Sequence, residues 1–427
     1  MASLRTTTQL LSRCFTNTSG VLFATAKQPN FAAAALSPVW SAPALCKCLR
    51  STSSPSIAMP PAKLGKAASP DEVREFVSLF PDIVRELTTS EEFADVPDAQ
   101  KWFSKVLQYN VQGGKMNRGI AVGMSYKLLA EPSLVTEATM KQARILGWCI
   151  ELLQSYFLVS DDIIDSSPVR RGRAAWHVKD NRGLSAFNDA ILLETALYSL
   201  LHMHFSNEIY YIDVVNLFHS VTLKTALGQT LDLMSSVTTE DGKKKPNLEQ
   251  FTMDRYNNIV RYKTGYYSFY LPVALAMHMA GIRNTDNARV AGITDSELHR
   301  QARTILLEMG GFFQVQDDYL DCFGDTSVTG KVGTDIGEGK CTWLAVVALQ
   351  RATPRQKILM QQHYGSSDAE SVEVVTKLYK DLGLPATYRQ YEDSTSALIR
   401  MHIQQISRGL NHKVFFKFLE KIHKRSR

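Results

Sequence analysis

Acidic residues are missing from the first seventy positions, where seven Lys/Arg occur and Asp71 is the first acid of the chain. That absence marks a boundary. The leading segment is rich in Ser, Thr and Ala and carries Arg5 and Arg13 among apolar residues; a disordered, low-complexity tail is the bland reading, and the lack of acids favours an amphipathic organellar presequence. Its apolar stretches are too short and interrupted for a secretory or membrane-spanning helix. The reading is a leader over 1–70 that directs the chain to mitochondria, and a helical domain over 71–427. Met59, ahead of Pro60 and Pro61, offers a second start for a shorter, cytosolic form.

Net basicity is missing too once the leader is set aside. The chain carries 48 Lys/Arg against 42 Asp/Glu, but beyond position 70 the balance is 41 against 42. A nucleic-acid role loses its electrostatic support. Cysteine is scarce: of six, only Cys46 and Cys48 lie close together, so neither a disulfide framework nor a zinc site is indicated. Cys149, inside ILGWCIELL, reads as a small core residue. No Pro/Gly/Ser-rich linker and no internal repeat follows position 71, which makes one large domain the economical reading.

Alternating strand patterns are scarce, whereas apolar residues recur at three- and four-residue spacing through 93–109, 117–129, 138–165, 186–206, 209–234, 247–281 and 295–322. Breakers such as Gly113-Gly114, Pro132, Pro168, Gly172, Pro246 and Gly281 fall between the runs. The fold class is therefore all-α. The runs 138–165 and 247–281 are apolar on more than one face, as interior helices of a many-helix bundle are.

Two motifs of one form, Asp161-Asp162-Ile163-Ile164-Asp165 and Asp317-Asp318-Tyr319-Leu320-Asp321, each end a long apolar run. On a helix Asp161 shares a face with Asp165, and Asp317 with Asp321. Carboxylates so close repel one another, and the macrodipole at a helix C-terminus disfavours them further. Hard divalent cations compensate such clusters, and Mg²⁺ in particular takes one or two carboxylates and completes its shell with phosphate oxygens and water. One such motif alone reads as a solvated helix end; two copies point to a diphosphate gripped between them. Lys115 and Arg118, three apart and flanked by Gly113, Gly114 and Gly119, can share a helix face, as a phosphate site or as a solvated helix start.

The stretches ELLQSYFLVSDDIIDSSPVRRG and GGFFQVQDDYLDCFGD resemble the two aspartate-rich regions of farnesyl diphosphate synthases. GGKMNRG, GQTLDL, KTGYYSFYLP, KVGTDIGEGKCTW and the tail KIHKRSR are similar to further motifs of that family, in the same order from about residue 73 onward. The resemblance implies a large orthogonal helical bundle around a central cavity, Mg²⁺ (three ions per active site), prenyl diphosphate substrates, a homodimer and no membrane span. It implies a prenyltransferase: an allylic diphosphate ionises and its carbocation alkylates isopentenyl diphosphate. Asp161, Asp162, Asp165, Asp317, Asp318 and Asp321 would serve the metal ions, with Asp232 and Gln229 beside them. Arg170, Lys263, Lys331 and Lys340 would neutralise the allylic diphosphate. Lys115, Arg118, Gln154 and Arg171 would take isopentenyl diphosphate without metal. Thr264, Tyr267 and Gln314 would stabilise the cation, the released diphosphate would accept the proton, and no His base is required. Tyr156 and Phe157, one helical turn beneath Asp161, would limit the product to ten or fifteen carbons; ordinary core aromatics would look the same.

The chain departs from that family at Arg173-Ala174-Ala175-Trp176-His177 (commonly QPCWY), at Ala226, Gly265 and Gly311, and at 336–340. Such changes keep open a terpene synthase on the same scaffold, which ionises a prenyl diphosphate and cyclises or deprotonates the cation. The intact set Lys115, Arg118, Gln154 and Arg171 favours condensation. A non-catalytic partner subunit would be expected to lose aspartates, and both motifs are complete.

Overall fold

The computed structural model describes residues 69–240, 244–284, 289–290, 292–324, 333–406 and 409–422. The leader's expected boundary, Met59, Lys331 and the end of the basic tail lie outside the described residues or at their edge.

Thr136 starts the first of two long helices: its hydroxyl accepts from Thr139 N while the Thr139 side chain accepts from Thr136 N, a capping box that satisfies two otherwise orphaned donors. Five helices lead up to and include it: α1 (Pro70–Val77), α2 (Phe80–Thr88), α3 (Pro97–Asn110), α4 (Asn117–Leu129) and α5 (Glu137–Asp165). α5 has 29 residues, roughly 43 Å of helix, and is apolar on most sides because it is buried on most sides. Its core residues run from Ala143 through Trp148 to Val159, and Trp148 stacks on Phe76 of α1 with ring centres 4.5 Å apart. Cys149 is fully buried among them, and burial drives its thiol well above the ordinary range.

A short hairpin, β1 (Val169–Arg170) with β2 (Arg173–Ala174), follows, then α6 (Ala186–Phe205) and α7 (Tyr211–Leu233). A second hairpin pairs β3 (Ser236–Thr238) with β4 (Lys244–Pro246). α8 (Met253–Ile259) continues without a break through Val260–Tyr270 into α9 (Leu271–Met279). The sequence predicts one ordinary helix across this run, but Val260–Tyr270 is a π-helix. One local cause, Pro272, is visible beside a contact from another helix. Pro272 has no N–H to offer and crowds the turn before it, and Leu271 N already donates to Tyr266 O, five residues back. The widened turn also lies against α7, where a Cβ on Gly228 would stand 2.1 Å from Lys263 N.

β5 (Arg289–Val290) and β6 (Ile293–Thr294) lead into α10 (Asp295–Phe323), the second 29-residue helix, capped by Thr294. Then come α11 (Asp335–Glu338), α12 (Trp343–Arg351), α13 (Pro354–His363), α14 (Ala369–Asp381), α15 (Leu384–Gln405) and α16 (His412–Ile422). The largest apolar core joins α5, α6, α7, the π-helix, α9 and α10. Sheet is confined to the three small hairpins among the described residues, and no helix there is long and apolar enough to cross a membrane.

Candidate active site

The two aspartate motifs occupy the C-terminal ends of α5 and α10, as their sequence positions predict, and meet across one cleft of about 690 Å³. Asp161, Asp165, Asp232, Asp317 and Asp318 line it together with Arg170, Lys263, Thr264, Gln314 and Lys340. Ser166 ends α5 in the left-handed conformation (φ 54°), turning the chain toward the hairpin that carries Arg170.

Carboxylates in this cleft differ sharply in what they already hold. Asp162 is 2% exposed and accepts from Arg170 Nε at 2.9 Å. Burial raises its pKa against the pull of Arg170. Asp318 is equally enclosed: Oδ1 accepts from Gln314 Nε2 (2.9 Å) and Oδ2 from Trp343 N (2.8 Å), with its pKa pushed up to about 6 by burial. Both second-position aspartates, read from the sequence as metal ligands, are thus committed to protein partners. Asp321 Oδ2 accepts from Thr334 N and Asp335 N at 2.9 and 3.0 Å, which ties α10 to the start of α11.

Asp161 Oδ1 is buried without a hydrogen bond, 3.4 Å from Lys263 Nζ. Lys263 bridges it to Asp232 Oδ2 at 2.6 Å. Burial alone would lower the Lys263 pKa; Asp232 and Asp161 more than reverse that. Asp165 is raised by burial and by repulsion from Asp161. Lys340 follows the Lys263 pattern: burial lowers it, Asp335 and Glu338 lift it above its usual value, and Nζ stands 2.7 Å from Glu338 Oε2. Gln229 Nε2, one turn before Asp232, is buried without a partner. An acceptor-only carboxylate oxygen left without a hydrogen bond in a buried site suits a hard cation. Among the described residues no three His, Cys, Asp or Glu groups converge into a ready-made cage.

A basic cluster adjoins the cleft, built around the turn 113–116 and the start of α4. Lys115 does not share a helix face with Arg118, as its spacing suggested. Met116 takes the left-handed conformation (φ 49°) and α4 begins only at Asn117, so Lys115 stands exposed ahead of the helix. Arg118 Nε donates to Ser268 Oγ (2.9 Å) and Nη2 to Tyr267 Oη (3.2 Å), with the guanidinium over the Tyr267 ring at 4.8 Å. Gln154, in the amide orientation that satisfies both neighbours, accepts from Arg118 Nη1 (2.9 Å) and donates to Glu151 Oε2 (3.1 Å). Arg171 Nη1 donates to the carbonyls of Asn110, Val111 and Gln112 where α3 ends, a favourable place for a cation. Gly114 makes room for it, since a Cβ there would sit 3.0 Å from Arg171 Nη2.

Tyr156 and Phe157 stack obliquely 5.1 Å apart, and Phe157 meets the edge of Tyr267 at 5.6 Å. The aromatic wall and the basic pocket therefore share Tyr267. Thr264, on the π-helix, faces the cleft. Two contributors escaped sequence reasoning. Glu151 is fully buried, accepts from Gly119 N at 2.8 Å and anchors the Arg118 network; its signal was a lone acid within the apolar run ILGWCIELLQ. Lys244 of β4 donates to Ile164 O at 3.1 Å, a cation at the end of α5 that only folding brings there.

Long helices that set paired aspartates across one cleft, beside a basic cluster that shares Arg171 with it, define an isoprenoid synthase of the chain-joining class. The polyprenyl synthetase family model matches residues 100–382. The farnesyl pyrophosphate synthase of Nezara viridula is 48% identical over 83% of both chains, and that of Homo sapiens 46% identical over 83% of this chain and 81% of its own. Solved farnesyl diphosphate synthase from T. brucei superposes with a TM-score of 0.74 at 30% identity, covering 83% of this chain and 99% of that one. The chain belongs to the polyprenyl synthetase family and is a prenyltransferase of the farnesyl diphosphate synthase type.

Proposed function

We propose that this chain condenses isopentenyl diphosphate with dimethylallyl or geranyl diphosphate, giving geranyl or farnesyl diphosphate. The observation that carries it is the pairing of two anion sites of different chemistry. One mixes carboxylates with Lys263, Lys340 and Arg170; the other is the basic cluster of Arg118 and Arg171 with Lys115 exposed ahead of it, joined to the first through Arg171, which also lines the cleft.

Asp161, Asp165 and Asp317 are the residues that would hold Mg²⁺, with Asp232 and Gln229 beside them and Asp162, Asp318 and Asp321 fixing the helix ends. When bound, the metal supplies Lewis-acid stabilisation of the departing diphosphate. Lys263, Lys340 and Arg170 neutralise the remaining charge, with Lys331 as a further candidate by resemblance alone. Thr264 and Gln314, which line the cleft, turn dipoles toward the developing cation, with Tyr267 a further candidate by resemblance. No histidine lines the cleft among the described residues, and the released diphosphate takes the proton. Phe157 and Tyr156 stop the growing chain.

Exposed apolar side chains on two successive helices, Phe187 and Ile191 on α6 and Ile212, Leu223 and Leu227 on α7, are of the kind a homodimer contact would cover. The basic, acid-free leader supports mitochondrial import, which fusion of residues 1–70 to a reporter tests by its location. For the reaction, protein lacking residues 1–70 is incubated with Mg²⁺ and geranyl diphosphate, with and without isopentenyl diphosphate. Farnesol after phosphatase treatment, only when isopentenyl diphosphate is present, is the expected result. Hydrocarbons or cyclic alcohols from the allylic substrate alone would replace this reading with a terpene synthase.

A further inference from the structure

Away from the cleft, one buried arginine has an unusual setting. The Arg182 guanidinium lies 4.1 Å from the centre of the Trp102 ring and 3.9 Å from that of Trp176. Both indoles donate to a single carboxylate, Trp102 Nε1 to Asp189 Oδ1 and Trp176 Nε1 to Asp189 Oδ2, each at 2.8 Å. Arg182 itself stands 3.8 Å from Asp189 and 3.2 Å from Asp180. Its side chain is 6% exposed and that of Asp189 4%, so both charges are desolvated. Desolvating a charge is costly unless its partners are well placed, and a cation held between two indole faces recovers part of that cost.

The cluster joins three segments. Trp102 lies on α3, Asp189 on α6, and Trp176 and Arg182 in the stretch between β2 and α6. Seven residues along α3 from Trp102, on the same helix face, Tyr109 continues the contact. Its ring centre is 4.9 Å from that of Trp176, and its hydroxyl donates to Ala174 O at 2.9 Å. Arg173 of β2 donates back to Tyr109 O at 2.9 Å and stacks on the ring at 4.5 Å. The β1–β2 hairpin has only two residues per strand, and an isolated hairpin is marginal at best. Yet it carries Arg170, which binds Asp162, and Arg171, whose φ of 53° is strained for a long side chain.

We propose that the Trp102–Arg182–Trp176–Asp189 clamp is a positioning device: it sets the β1–β2 hairpin, and through it the two arginines offered to the substrate diphosphates. The proposal rests on the condensing function assigned above. None of the four clamp residues is needed to touch substrate. Loss of the Arg182 charge frees the Trp176 segment, lets the hairpin drift, and weakens diphosphate binding while the bundle stays folded.

The test titrates isopentenyl diphosphate calorimetrically into the full chain and into Arg182→Met, Arg182→Lys and Trp102→Phe, with thermal melting of each. Arg182→Met, which keeps the stem and removes the charge, is expected to bind about tenfold more weakly, as a misplacement on the ångström scale does. Arg182→Lys keeps a cation between the rings and should recover most of the affinity. Should Arg182→Met fail to fold, Trp102→Phe carries the test, expected to bind severalfold more weakly with its melting midpoint little changed. Binding equal to wild type in the folded variants, whatever their melting points, overturns the clamp alone. A wild-type chain that binds no isopentenyl diphosphate overturns the assignment of the site, and the clamp's role with it.

Discussion

Arg118 and Tyr267 are joined twice, by a hydrogen bond of 3.2 Å to the phenol oxygen and by the guanidinium lying 4.8 Å from the ring centre. One tyrosine thus faces the basic pocket with its hydroxyl and the aromatic wall with its edge. Tyr267→Phe keeps the ring and removes the acceptor. A hydrogen bond to a charged group contributes about 1.5 to 3 kcal/mol, so the KM for isopentenyl diphosphate should rise roughly tenfold or more. Product length should stay the same if the proposed aromatic wall of Phe157 and the Tyr267 ring limits it. Steady-state kinetics with both substrates varied, and chromatography of the alcohols, check the two halves separately.

Asp161 and Asp162 are neighbours in sequence with different work to do. Asp161→Ala and Asp317→Ala should each lower kcat/KM about a thousandfold, roughly 4 kcal/mol of transition-state stabilisation. Added Mg²⁺ should restore part of it if metal affinity is what was lost. Asp162→Asn keeps an acceptor for Arg170 and should cost far less. Equal losses at positions 161 and 162 would contradict the division drawn here.

Phe157 meets Tyr267 edge-on, four residues before Asp161. Phe157→Ala opens the aromatic wall, and products longer than fifteen carbons should appear by mass spectrometry. The same change opens a core void and should lower stability by about 3 kcal/mol. An unchanged product length would make Phe157 an ordinary packing residue.

His278 and His299 pack ring on ring, 4.8 Å apart, behind Asp213, Arg283, Asp295 and Arg303. Burial lowers both, His278 to about 4 from an ordinary 6.5. Because the folded values are depressed, the neutral rings contribute stability that is complete above pH 6.5 and is lost as the pH falls from there toward 4. The melting temperature should therefore decline between pH 6.5 and 4.5, and His278→Leu should flatten that decline. Carboxylate protonation alone would leave the variant as acid-sensitive as the parent.

How far the fold could be read from the sequence depended on periodicity. The helices ending at Asp165 and Phe323 were legible to within a residue or so, because long apolar stripes with Thr caps and acidic ends leave little freedom. The π-helix over Val260–Tyr270 was not: its cause is a Gly228 backbone contact from another helix, added to Pro272. Likewise Lys115 and Arg118 looked like helix neighbours until the left-handed Met116 separated them. The aspartate motifs announced the cleft and a lone acid in an apolar run hinted at Glu151, whereas Lys244 and the Trp102–Arg182 contact join positions far apart in sequence, and single-chain spacing carries no trace of that.

The central claim is that two diphosphate sites sit side by side, one needing Mg²⁺ and one built wholly from protein. It is tested most directly by titrating isopentenyl diphosphate and geranyl diphosphate separately into the wild-type chain, each with Mg²⁺ and each with excess EDTA. The account predicts that EDTA abolishes binding of geranyl diphosphate and leaves isopentenyl diphosphate binding within about twofold, until Arg118→Ala removes it. Equal dependence of both ligands on Mg²⁺ would contradict it.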